Sequence, residues 1–316
     1  MIALNQPKNP VPKLFPIFAA YPKKAEPTNI QLMQLSLLPT GTFKLDGGAM
    51  FGIVPKRMWN KANPADENNL CTWALRCLLI EMGDRKILVD CSIGDKQEAK
   101  WRSFFEPSGA MSPLPSLVER GISPEEITDV FLTHLHFDHC GGGVSLDKNG
   151  KLVPTFPNAT YWSNEPQWAT AMNPNEKEKA SFLKENFVPL KDAGRVQFID
   201  VQRDMLEWLP GIQVQFTHGH TEAMISLHID SPQGHFVYCA DAMPSSFHLN
   251  MPWVMAYDIR PLVTLEEKAW LLENAVEHDW RLIFEHDPSA SCATLMKNET
   301  GRIVVKEKFS DVLPGF

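Results

Sequence analysis

The chain is 316 residues long, 44% apolar and 22% charged, the balance of a soluble globular protein large enough to bury a core without disulfides. A net charge of −8 excludes the basic surface that a phosphate backbone needs, so nucleic acid is not an expected partner. The six cysteines form no C-x-x-C pair and mostly sit in apolar runs, as buried reduced thiols do. No apolar run is long enough to cross a bilayer, so no membrane partner is expected either.

Residues 1–30 carry Pro7, Pro10, Pro12, Pro16, Pro22 and Pro27. Proline at that density rules out a regular helix or central strand, so the segment is expected to be an arm outside the core. Its Leu14, Phe15 and Phe18 need something to pack against, which suggests a second subunit and hence a homodimer. The apolar stretch from Leu14 to Ala20 follows Lys8 and Lys13 as in a signal peptide, yet Pro16 interrupts it and Lys23 and Lys24 follow at once. A cytoplasmic location is therefore expected, with an exported form as the alternative.

Residues 31–316 read as one mixed domain. Strands are expected at 30–38, 74–81 and 86–90, with Gly83-Asp84 turning the last two into a hairpin. Ser123-Pro124-Glu125-Glu126 carries a helix-start signature, and Ile127 to Thr133 reads as a strand. Apolar spacing predicts two helices within 164–187, then strands at 196–201, 212–217, 225–230 and 235–240. Thr264 and Glu267 have the spacing of a capping box for a helix over 265–278. A short strand, 282–284, ends at Glu285-His286.

The chemistry concentrates in Thr133-His134-Leu135-His136-Phe137-Asp138-His139-Cys140-Gly141-Gly142-Gly143. A lone histidine is usually structural, but three histidines and an aspartate in six positions after an apolar strand are different. Desolvated together, they would repel one another or go unpaired without a cation. Neutral imidazole and carboxylate are the donors that Zn²⁺ and similar ions prefer. The three glycines allow a tight turn and close backbone approach beside them.

This H-x-H-x-D-H run resembles the signature of the metallo-β-lactamase superfamily, and further motifs follow in that family's order over about residues 31–310. Asp90 resembles its first structural acid, Thr217-His218-Gly219-His220-Thr221 its G-H-T motif with His220 as ligand and His218 as a non-ligand, Asp241 its bridging aspartate, and His286 its last ligand. The resemblance implies an αββα sandwich with two mixed sheets flanked by helices. It implies two divalent metal ions, zinc by default and Fe, Mn or Co on the same donors. His134, His136 and His220 would hold one, and Asp138, His139 and His286 the other, with Asp241 between them. Aspartate at 241, where the true β-lactamases commonly carry cysteine, makes lactam hydrolysis a poor expectation.

From residue 238 the chain is similar to a narrower, quorum-quenching lactonase branch, in Asp241-Ala242-Met243-Pro244, His248, Pro252-Trp253-Val254-Met255, Tyr257-Asp258 and Glu285-His286-Asp287-Pro288. Leu38-Pro39-Thr40-Gly41 and Asp46-Gly47-Gly48-Ala49-Met50-Phe51-Gly52 match the same branch. The resemblance implies hydrolysis of N-acyl homoserine lactones by a metal-bridging hydroxide, with Asp138 or Asp241 handling a proton. Better-known members place a tyrosine three residues after the bridging aspartate, and here that position is Pro244. His248 is the expected catalytic substitute, with Tyr257 the other choice. Met50, Phe51, Met243, Phe247, Met251 and Trp253 are expected to form the acyl pocket, against the plainer reading of loop packing.

Other chemistries fit the same site. They include an organophosphate triesterase, a thioesterase of the glyoxalase II kind, a phosphodiesterase and, more remotely, a mononuclear-iron persulfide dioxygenase. A flavodiiron enzyme would need a flavin domain for which there is no room, and an inert scaffold would not keep all seven metal-binding side chains.

Overall fold

The computed structural model describes residues 33–201, 204–310 and 313; the arm expected at 1–30 lies outside them. Strands β1 (Met33–Asp46), β2 (Leu70–Met82) and β3 (Arg85–Val89) form an antiparallel meander, closed between β2 and β3 by the positive-φ Gly83. Strand β4 (Asp129–Phe131) then pairs parallel with β3. A small hairpin of β5 (Val144–Leu146) and β6 (Leu152–Pro154) stands apart. Parallel β7 (Thr160–Asn164) and β8 (Val196–Ile199) complete a six-stranded sheet in the order β1-β2-β3-β4-β7-β8.

The second half forms a seven-stranded sheet of β9 (Met205–Leu209), β10 (Ile212–Thr217), β11 (Met224–Ser231), β12 (Gly234–Tyr238), β13 (Arg281–Ile283), β14 (Cys292–Lys297) and β15 (Ile303–Phe309). Its spatial order is the exact reverse of its chain order, and only the β12–β13 pair is parallel. That parallel step needs a crossover, which the helix Pro261–Glu277 supplies.

The alternation of side chains across β2 explains the layering. Leu78 and Ile80 point between the sheets, where they meet Val214, Phe216, Leu227 and Phe236. Cys77 and Leu79 point outward, into a core with Trp168, Phe187 and Leu190 of the flanking helical segments. On the far side Val237 and Leu282 pack under Leu271, Leu272 and Ala275 of the helix Pro261–Glu277. A strand buried on both faces reads as a continuous apolar run, which is what 77–80 is. The result is an αββα sandwich, as the sequence led one to expect.

Several local expectations are corrected. The helix 265–278 begins earlier, at Pro261, because proline preorganises a first turn. Thr264 and Glu267 therefore lie inside it and form no capping box. The box at Ser123 and Glu126 does form, but around a single 3₁₀ turn, Pro124–Glu126. Of the two helices expected in 164–187 only Glu165–Met172 is regular; the second is replaced by turns and a 3₁₀ turn at Lys184–Asn186. The strand expected at 30–38 runs on to Asp46 through an irregularity at Pro39–Gly41.

Candidate metal centre

All seven side chains singled out in the sequence converge beyond the ends of the central strands. His134 and His136 follow β4, Asp138 and His139 lie on the single turn Phe137–Cys140, and His220, Asp241 and His286 follow β10, β12 and β13. Glycine is required where this turn folds back. A Cβ on Gly141 would stand 2.0 Å from the Ile93 carbonyl oxygen, and one on Gly142 would stand 2.1 Å from that of Cys91. The two sheets share the work, since the first supplies four of these side chains and the second supplies three.

The donors fall into overlapping buried groups, of which His134-His136-His220 and Asp138-His139-His286 share no member, while Asp241 closes with His134 and His139. In the first, His136 Nδ1 lies 3.1 Å from His134 Nε2 and 3.2 Å from His220 Nε2. In the second, His286 Nε2 lies 3.2 Å from His139 Nε2, and Asp138 Oδ2 stands 3.7 and 3.8 Å from those two nitrogens. Donors about 2.0–2.1 Å from a tetrahedral zinc are separated by about 3.3 Å, so both spacings fit one ion per group. Asp241 stands between them. Its Oδ2 is 3.3 Å from His220 Nε2, while Oδ1 is 3.3 Å from His286 Nε2 and 3.6 Å from His139 Nε2. That Oδ1 is buried without a hydrogen-bond partner, which a cation would provide.

Behind the donors, hydrogen bonds fix ring orientation. His139 Nδ1 meets Asp90 Oδ2 and Glu285 Oε2, both at 3.0 Å. Asp90 is itself held by the Thr133 amide and hydroxyl at 2.8 and 2.7 Å, and Tyr238 donates to Glu285 Oε2 at 2.7 Å. His220 Nδ1 meets Asp258 Oδ1 at 3.0 Å, His286 Nδ1 the Ala74 carbonyl at 2.9 Å, and His134 Nδ1 the Thr133 hydroxyl at 3.1 Å. Glu267 is not a cap but a clamp, taking the amides of His218 and Gly219 at 2.6 and 3.1 Å. His218 turns away to Glu222 Oε1 at 2.9 Å and belongs to neither donor group.

Charge in the cluster is unevenly held. Burial, with the neighbouring imidazoles, keeps His134 and His136 well below the usual histidine range. Burial opposes ionisation of Asp241 too, but His139, His286 and His220 outweigh it and hold the carboxyl well below its ordinary value. Against Asp241, the protons of His139, His220 and His286 are held above the usual histidine range, and a metal ion binding there must displace them.

A pocket of about 710 Å³, open mouth included, leads to the centre. Its floor is His136, Asp138, His220, Asp241 and His286, and its wall includes Leu45, Met50, Phe105, Phe137, Met255 and Tyr257. Of the side chains expected to line an acyl pocket, Met50 does so. Phe51 sits behind the wall, stacked on Trp59 and His248 at 5.4 and 5.1 Å. Met243 packs with the long helix, Phe247 against Trp73, Trp253 edge-on to Phe51, and Met251 is 37% exposed. His248 is likewise away from the lining, with Nδ1 on the Ser245 hydroxyl at 2.7 Å and Nε2 on the Met50 carbonyl at 2.9 Å. Burial pushes it down to about 4, so it stays neutral.

A sequence profile of the metallo-beta-lactamase superfamily matches residues 76–286, a span that contains all seven converging side chains. The chain belongs to that superfamily, as a metal-dependent hydrolase. It is 25% identical over 214 residues to an N-acyl homoserine lactonase of Bacillus cereus, covering 65% of this chain and 73% of the relative. A probable metal-dependent hydrolase from Staphylococcus aureus superposes with a TM-score of 0.79 at 26% identity, covering 89% of this chain and 98% of the other. The dizinc quorum-quenching lactonase AidC, in complex with a product, N-hexanoyl-L-homoserine, shares the fold with a TM-score of 0.71 at 21% identity, over 89% and 96% of the two chains. Among the described residues no helix is long and apolar enough to cross a membrane.

Proposed function

We propose that the protein is a lactonase that opens N-acyl homoserine lactones. The observation that carries this reading is one pocket with a five-donor carboxylate and imidazole floor and an apolar wall of Leu45, Met50, Phe105, Phe137 and Met255. An acyl chain would bury apolar surface against that wall, at roughly 25 cal/mol per Å², while the polar ring rests on the floor. The similarity to N-acyl homoserine lactonases supports the same choice.

In this reading His134, His136 and His220 would hold one divalent ion, Asp138, His139 and His286 would hold the other, and Asp241, which stands between the groups, would serve both. Two such ions, zinc by default, supply an acidified water and a polarised carbonyl. The chain's own residues do the rest. Asp138, on the pocket floor, accepts the proton released as the ring carbonyl is attacked and returns it to the departing alkoxide. Tyr257, whose phenol burial and the nearby Asp138 push above its ordinary value, stays a neutral donor on the same wall. His248, tied at both nitrogens, holds the Met50 wall rather than moving a proton. A homodimer and a single catalytic domain over residues 31–316 remain part of the proposal, the former checked by light scattering.

The test is to count metals per chain and follow acid release from a long-chain N-acyl homoserine lactone. Two metals, with turnover lost in Asp241→Asn, support the reading. Two metals without lactone turnover move the substrate to phosphotriesters or thioesters, and a single redox-active iron sinks hydrolysis in favour of dioxygenation.

A further inference from the structure

A histidine that turns one ring nitrogen to a metal needs a partner for the proton on the other. Four of the five histidines have one: Thr133 for His134, Asp90 and Glu285 for His139, Asp258 for His220 and the Ala74 carbonyl for His286. His136 is the exception. Its Nδ1 faces the first donor group, and its Nε2 is buried with no hydrogen-bond partner. The carboxylate beside it is Glu178, with Oε1 at 3.9 Å.

Glu178 is only 3% exposed although it lies in the charged run Asn175-Glu176-Lys177-Glu178-Lys179. It is held from two sides, by the Asn175 amide and by the Thr221 hydroxyl, the latter at 2.5 Å from Oε1. Thr221 is the residue after His220. The same segment makes one more contact with this donor group and two with residues beside it. Phe182 packs on the His136 ring at 4.7 Å, the Ser181 carbonyl accepts the Phe137 amide at 2.9 Å, and Lys177 donates to the carbonyl of Asp258, the residue that orients His220.

We propose that Glu178 is the positioning residue for His136, and that segment 175–182 clasps the first donor group from the pocket side. The inference rests on the metal reading above. Once Nδ1 is engaged, the proton resides on Nε2, and a shift of well under the ring's own width brings it within reach of Oε1. Glu178 then sets the ring plane and, through Thr221, the turn that carries His220.

The experiment uses the purified, metal-loaded enzyme and its Glu178→Ala and Glu178→Gln variants. Metal per chain is counted after dialysis against graded chelator, and the visible spectrum is recorded after cobalt substitution. Wild type should hold two ions. Glu178→Ala should release one of them at a chelator concentration about ten- to a hundredfold lower, with an altered cobalt band. Glu178→Gln, whose amide oxygen still accepts, should fall between. Unchanged retention and spectrum in both variants overturn the proposal and leave Glu178 as wall. If Glu178→Ala unfolds in a circular-dichroism melt, the glutamine variant decides alone. A wild-type enzyme that retains fewer than two ions overturns the metal reading, and the proposal with it.

Discussion

The two donor groups lie side by side but are built differently. The second is set into the core: His139 is fully buried between Asp90 and Glu285, and His286 is fixed by the carbonyl of β2 residue Ala74. The first depends on excursions from the sheets, since His136 meets segment 175–182, and His220 is oriented by Asp258 in the loop before the long helix. His139 therefore supports the fold as well as the site, whereas His136 and His220 stand on the pocket floor and lean on these excursions.

That contrast can be broken most severely at His139. Replacing it with alanine leaves Asp90 and Glu285 buried without their shared partner, so His139→Ala should lose about 3–5 kcal/mol in urea denaturation as well as the enzyme's activity. An equal loss from His136→Ala would erase the distinction. The short helix Gly47–Phe51, whose Met50 carbonyl meets His248, offers a reference outside both groups. His248 is held down to about 4, so the unfolded chain takes up a proton near pH 6.5 that the native chain resists until about 4. Stability should then be complete above pH 6.5 and fall as pH drops through that window, by roughly 3 kcal/mol for this group. Denaturation midpoints of His248→Gln should lack that share of the slope.

Metal removal sharpens the picture further. At a free metal concentration a hundred times its dissociation constant, binding stabilises the native state by about 2.7 kcal/mol, so a chelator should lower the melting temperature as well as abolish turnover. An unchanged melt would mean that the centre contributes nothing to the fold. The smallest effect is expected from Asp258→Asn. Affinity for one ion should weaken about ten- to a hundredfold by chelator competition, while the urea midpoint barely moves.

The histidine cluster was plain in the sequence because desolvated imidazoles and a carboxylate crowded after an apolar strand need a cation, and the family resemblance added the other three donors. His134, His136, Asp138, His139, His220, Asp241 and His286 all reach the centre from beyond strand ends. The sandwich was implied by the family resemblance, and the unbroken apolar run of β2, which leaves that strand no solvent face, agrees with it. The pocket was far less legible. Phe105 and Phe137 line it from a turn and from within the histidine run itself, where no periodicity marks a face, while Met243 and Phe247 satisfy other packing. Glu178 stands in the charged run 175–179, where no spacing marks an inward side chain, and only the fold turns it inward. Thr264 and Glu267 have the right spacing for a cap, but Pro261 had already started the helix, which freed Glu267 to grip the 218–219 turn.

The division of the donors between the sheets has a consequence for assembly. Each group draws two members from the first half of the chain and one from the second, and Asp241 also comes from the second. Neither half can close a coordination shell by itself. An ion can therefore act as a rivet only after the halves have met, and its uptake during refolding would time the moment when the sandwich shuts.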